Sequence, residues 1–238
     1  MSLPKDKIEL TRESLCDGSL HRWIATADPK MRLRSDTEHL NSIRQMLAAR
    51  QDGGGDVWIF AYGSLIWNPT IETEERRRAE VKGFHRRFCL WTHLGRGTAD
   101  CPGLTLALEP GGSCCGVAYR IAEAKAEHEL LILWRREMLT GAYQPRWVKA
   151  VTKSGPVCAV TFVVNASHER YAGRLAEARV AEAIAHAHGA LGHCYSYLFS
   201  TVRHLRELGI RDRYLEAIAG RVDELRVRET PAQPGAAP

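Results

Sequence analysis

Between residues 57 and 164 the chain is a series of apolar, β-branched and aromatic runs cut by glycine and proline, and this stretch limits the possible folds most. "VWIFAYG", "AEVKGFHRRFCLWT", "LTLALE", "CGVAYRI", "QPRWVKAVT" and "VCAVTFVV" each read as a strand. Turns are predicted at the Gly- and Pro-containing joints, including "KSGP" before the last strand. A helix is predicted over residues 122–139, and three more follow in "ERYAGRLAEARVAEAIAHAHG", "CYSYLFSTVRHLRELG" and "RDRYLEAIAGRVDEL". Strands first and helices afterwards, with no internal repeat, describe an α+β domain over residues 53–228.

The flanks read differently. Residues 1–35 are charged and read as an arm with "TADPK" as a loop. In "SDTEHLNSIRQMLAAR" a cap and acidic first turn precede Leu40, Ile43 and Leu47 at helical spacing, so residues 1–52 are expected to form an arm and a helix. "DGGGD" follows as a flexible connector, since no phosphate-loop motif accompanies its glycines. Residues 229–238, with "TPAQPGAAP", are expected to be a disordered tail.

Charge and cysteine content narrow the function classes. The 33 basic residues exceed the 28 acidic ones by only five, and "RRR" at Arg76–Arg78 and "HRR" at His85–Arg87 are the local clusters. Such runs read as solvated faces, so no nucleic-acid partner is expected. No apolar stretch approaches the roughly 18 residues of a membrane span, so no membrane partner is expected either. The seven cysteines include no C-x-x-C pair, and adjacent strand residues such as Cys114 and Cys115 point to opposite faces. Reduced thiols in a cytoplasmic protein are the expectation. His186, His188 and His193 do not share a helix face, and neither a metal nor an organic cofactor is expected.

Two places can carry chemistry. In "EHELLILWRREML" a 100° step per residue sets Glu137 beside Leu130, Leu133 and Trp134, with Arg135 and Arg136 directed away from that stripe. A carboxylate on an apolar face is either a general base with a raised pKa or a buried acid paired with an arginine. In "AYGSL", Gly63 allows close approach to the main chain and Ser64 adds a hydroxyl beside successive amides. This is either an anion-binding nest or a tight turn at a strand end. Gly95-Arg96-Gly97 is too short for a dinucleotide fingerprint and reads as a loop at a site rim.

Taken together, "WIFAYGSLIWNP", "GFHRRFCLWTHLGRGTADCPGLTLALEPGGSCCGVAYRI", "LWRREMLTGAYQPRWV" and "YLFS" resemble the ChaC-type gamma-glutamylcyclotransferases, the glutathione-specific branch of that enzyme group. The similarity spans residues 10–225. It implies a small mixed β-barrel flanked by α-helices and cleavage of glutathione to 5-oxoproline and Cys-Gly without a cofactor. It also implies that Tyr62, Gly63, Ser64 and Leu65 bind the γ-glutamyl group and that Glu137 accepts the proton. Tyr143 and Tyr197 lie in family-like stretches as residues lining the site. The alternatives are a cyclotransferase for other γ-glutamyl peptides or amines and a non-enzymatic binding or regulatory protein of the cation-transport type.

Overall fold

The computed structural model describes residues 8–50 and 53–229. Five strands, β1 (Val57–Ala61), β2 (Glu75–Thr92), β3 (Gly103–Ile121), β4 (Tyr143–Thr152) and β5 (Gly155–Val164), close into a barrel in the order β1-β3-β2-β4-β5. Strand β1 runs antiparallel to β3 and parallel to β5, which seals the sheet and leaves β1 no open edge. Every residue of β1 is buried, so its continuous apolar run reflects burial on both faces.

The runs "LTLALE" and "CGVAYRI" do not turn back on each other. They belong to one strand, β3, which pairs with β2 from Glu75↔Arg120 to Thr92↔Gly103. Where a turn was predicted, the register slips between Lys82 and Phe84, and Gly83, Gly111 and Gly112 take positive φ. The glycines thus absorb a bulge that bends the long ribbon into the barrel, and Pro110 sits where a ladder donor is dispensable.

Helix α4 (Ala126–Glu137) forms as predicted, and α5 (Glu177–His186), α6 (Cys194–Glu207) and α7 (Arg213–Glu229) follow. The predicted helix from Glu169 starts late. Ahead of α5, Ala172 N donates to Cys89 O, Tyr171 bridges Leu90 and Gly173 has a φ of +63°, so that segment lies along β2 instead. "HAHGALGHC" forms a minute hairpin, β6 (His188–Gly189) with β7 (Gly192–His193).

The expected arm is also partly helical. It contains α1 (Arg12–Cys16) and α2 (Ser19–Ala27), and Leu15, Leu20 and Ile24 join the same core as the barrel. The anchor is Glu129 on α4, which is 1% exposed and accepts from both terminal nitrogens of Arg12 at 2.6 Å and from Glu72 N at 2.8 Å. Its partner is distant in sequence, and hydropathy periodicity carries no trace of it. Helix α3 (Asp36–Ala48) has the predicted cap as a full capping box of Ser35 and Glu38, but its buried face centres on His39 and Ile43. Residues 1–7 and 51–52, and the expected tail from residue 230 onward, lie outside the described residues.

Arg86 on β2 ties this frame to the end of β1. It is 4% exposed, donates to Tyr62 O at 2.5 Å and to Cys115 O, and pairs with Asp212, just before α7, at 2.8 Å. Arg86→Ala would strand two carbonyls and a carboxylate. We expect a loss of about 3 kcal/mol, the lower end for a broken buried pair because Asp212 keeps some solvent access. Urea unfolding of the variant and the wild type measures this directly.

Candidate active site

Strand β1 ends at Ala61, Tyr62 and Gly63 follow, and the chain then makes a single 3-10 turn over Ser64–Ile66. Ile66 N donates to Gly63 O at 3.0 Å, Trp67 N to Ser64 O at 3.2 Å and Asn68 N to Ser64 O at 2.8 Å. A helical turn leaves its first N–H groups unused, and here those belong to Ser64 and Leu65. Long-range bonds hold the turn in place: Tyr62 Oη donates to Phe162 O at 2.7 Å, Tyr119 Oη to Ile66 O at 3.1 Å, and Trp67 Nε1 to Thr201 Oγ1 at 3.3 Å. Gly63 is required by proximity and not by an unusual φ, since a Cβ there would lie 3.1 Å from Tyr197 Oη.

Glu137 is the last residue of α4, and its side chain is 15% exposed. Burial raises its pKa, opposed by the charge and hydrogen bond of Arg136, whose Nε lies 2.9 Å from Glu137 Oε1. The net direction is upward. Both readings of the carboxylate from the helix pattern therefore meet in one residue, because it is desolvated and arginine-paired.

Arg136 corrects the helical-wheel expectation. It does not point away from the site: its side chain is 3% exposed and reaches the loop after β1, donating to Ser64 Oγ at 2.9 Å, to Thr70 Oγ1 at 3.2 Å and to Asn68 O. Arg135 does point away, to Asp36 and the carbonyls of Leu15 and Cys16. Thr70 has a φ of +59°, a costly conformation for a β-branched residue, and it is held between Arg136 and Arg12, which donates to its carbonyl at 3.2 Å.

A cavity of about 210 Å³ opens over these groups. Its walls include Ser64, Arg136, Glu137, Tyr143 and Tyr197, so four of the sequence-predicted residues meet there. Of the predicted turn only Ser64 lines it; Tyr62, Gly63 and Leu65 are not among its walls, and the side chains of Tyr62 and Leu65 are packed in the core. Burial raises the pKa of Tyr143 and of Tyr197, and both are neutral donors near pH 7. Tyr143 Oη donates to Leu106 O at 2.7 Å, and the hydroxyl of Tyr197 is hydrogen-bonded with the Leu106 backbone.

Sequence reasoning missed three cations of this cavity: Arg136, Arg96 and Arg170. Arg96 belongs to the glycine-rich loop, which is clamped at the rim by Ala190 N to Leu94 O and Leu191 N to Gly95 O. Arg170 stands in the segment mistaken for helix. For Arg96 and Arg170 the one sequence signal is arginine beside glycine or tyrosine in irregular segments, which is too common to single them out. Among the described residues no group of three His, Cys, Asp or Glu side chains is arranged to hold a metal.

A desolvated carboxylate, a hydroxyl and unused amides around one cavity suit proton transfer coupled to stabilisation of a developing oxyanion. Residues 57–225 match the family model described as ChaC-like protein. A glutathione-specific gamma-glutamylcyclotransferase of Escherichia coli (strain K12) is 41% identical over 223 residues, covering 93% of this chain and 96% of the relative. Glutathione-specific gamma-glutamylcyclotransferase 1 of Mus musculus is 32% identical over 73% of this chain and 82% of its own length. Among solved structures, a glutathione-specific gamma-glutamyl cyclotransferase from yeast shares the fold with a TM-score of 0.68 at 23% identity, covering 74% of this chain and all of that one.

Proposed function

Because this chain belongs to the ChaC-like protein family, we propose that it is a glutathione-specific gamma-glutamylcyclotransferase that converts glutathione to 5-oxoproline and Cys-Gly. The observation carrying this reading is that Glu137, desolvated and raised in pKa, shares a cavity with Ser64 at the start of a turn whose first amides are unused.

The reaction needs no outside nucleophile. The glutamyl α-amine attacks its own side-chain carbonyl, the new N–C bond closes a five-membered lactam, and the amide bond to cysteine breaks. The α-ammonium, with a reference pKa near 8, must lose a proton before it attacks. Glu137 takes that proton and delivers it to the departing cysteinyl nitrogen, while the second proton lost by the ring nitrogen passes to solvent and the freed amine takes one up, so protons balance over the cycle. Its raised pKa makes it a stronger base than an exposed glutamate, and the charge of Arg136 opposes the shift.

Attack turns the carbonyl oxygen into an alkoxide. The amides of Ser64 and Leu65 are placed to meet it, and Ser64 Oγ, which accepts from Arg136, has its own hydrogen free to donate. One well-placed donor of this kind lowers the barrier by roughly 3 to 4 kcal/mol. Folding the glutamyl unit into its cyclising conformer contributes about 7 kcal/mol or more. The hydroxyl of Tyr197 completes the wall against which that conformer is held.

The test is incubation of the purified protein with glutathione, γ-Glu-Cys and γ-Glu-Ala, with 5-oxoproline read by mass spectrometry. Product from glutathione well above the other two is expected. Equal turnover of all three would remove the specificity, and binding without product would leave a non-enzymatic ligand-binding protein.

A further inference from the structure

The charges lining the cavity do not cancel. Among the described residues its walls carry Arg96, Arg136 and Arg170 against one carboxylate, Glu137, which is engaged by Arg136. Neither Arg96 nor Arg170 has an ion-pair partner among the described residues, and burial lowers the pKa of both. Arg96 spends one Nη on His193 O at 3.3 Å, in space that Gly192 leaves open. Arg170 is fixed through Nε, which donates to Trp91 O at 2.6 Å, and its two Nη groups make no hydrogen bond to another described residue. A desolvated guanidinium with its fork unpaired is costly unless a ligand completes it, and carboxylates match that fork best.

The position of Arg170 identifies which carboxylate. It lines the catalytic cavity and also a second one of about 170 Å³, and the two share the walls Leu10, Arg136, Leu139, Thr140, Arg170 and Leu191. The second cavity leads away from the Ser64 turn and is roofed by Leu20, Trp23 and Ile24 of α2, outside residues 57–225. A substrate whose glutamyl carbonyl lies at Ser64 must send its leaving peptide toward this junction. Arg96 lines only the catalytic cavity.

We propose that Arg170 binds the C-terminal carboxylate of the leaving dipeptide, making this guanidinium, under the roof formed by α2, the group that selects a γ-glutamyl dipeptide over shorter or uncharged γ-glutamyl amides. The assignment rests on the cyclotransferase reading given above. Three wall cations and one anion then meet a ligand with two carboxylates and one ammonium, so each ligand carboxylate finds a guanidinium and the excess positive charge of the walls is halved.

Glutathione and its C-terminal carboxamide differ only in this charge, so they test the assignment on the full-length wild-type protein without a mutation. The kcat/KM for glutathione is expected to exceed that for the amide by roughly 10- to 100-fold, as the loss of one charge-assisted hydrogen-bonded pair predicts. In Arg170→Gln the ratio should fall close to one through loss on glutathione, and in Arg170→Lys it should be partly restored. Equal use of both substrates by the wild type, or an equal fall on both in Arg170→Gln, overturns the proposal. Calorimetric binding of both ligands to Glu137→Gln separates it from the functional reading. No 5-oxoproline from the wild type, but preferential binding of glutathione to Glu137→Gln that an added Arg170→Gln abolishes, would remove the cyclotransferase and keep the carboxylate site. No binding of either ligand would overturn both.

Discussion

Glu137→Gln is expected to lower kcat for 5-oxoproline release by about 10²- to 10⁴-fold, the range for a lost general base. Glutamine preserves the volume and one acceptor oxygen, so the contact with Arg136 survives, but the amide cannot take a proton from the glutamyl ammonium. Arg136 keeps Ser64, Thr70 and Asn68 as partners, and the melting temperature should shift by only a few degrees. Glutathione affinity should change little, because the lost step is chemical. Turnover, calorimetric binding and a melting curve on the same preparation separate these quantities, and near-normal turnover would take Glu137 out of the mechanism.

Arg136→Met should cost roughly 10²-fold at neutral pH, for two coupled reasons. Ser64 Oγ loses the donor that orients its hydroxyl, and Glu137 loses the cation that opposes its desolvation. The sign follows from the direction of each influence. Burial raises the Glu137 pKa and Arg136 lowers it, so removing Arg136 moves it further up. The base is active when ionised, so kcat/KM rises with pH through this titration. The wild-type acid limb should lie above the usual carboxylate range, and that of the variant higher still. The variant should therefore recover part of its activity on the alkaline side. An acid limb that stays in place or moves down would show that Arg136 does not govern the ionisation of Glu137.

The strands, helix α4 and the two chemical loci were legible because each is local. Period-2 and continuous apolar runs marked β1, β2, β4 and β5, and the 3.6-residue period set Glu137 on the stripe of Leu130, Leu133 and Trp134. Glycine misled in both directions. In "EPGGSC" it marks a bulge and not a reversal, because β2 supplies a partner on both sides of it. In the segment before α5, Gly173 ends a helical pattern that composition alone continues. The arm was misread because Arg12 finds its carboxylate, Glu129, across the fold.

Local pattern thus determined where the strands and helix α4 lie, where the β1 strand must end, and that a carboxylate would interrupt an apolar helix face. Tertiary structure alone decided what that carboxylate meets: an arginine whose long side chain turns inward because its acceptors, Ser64, Asn68 and Thr70, come from a loop far away in sequence. Hydropathy records whether a side chain leaves water. The partner that replaces the water is chosen by barrel closure and by helices docking on it, which bring together residues that no period connects.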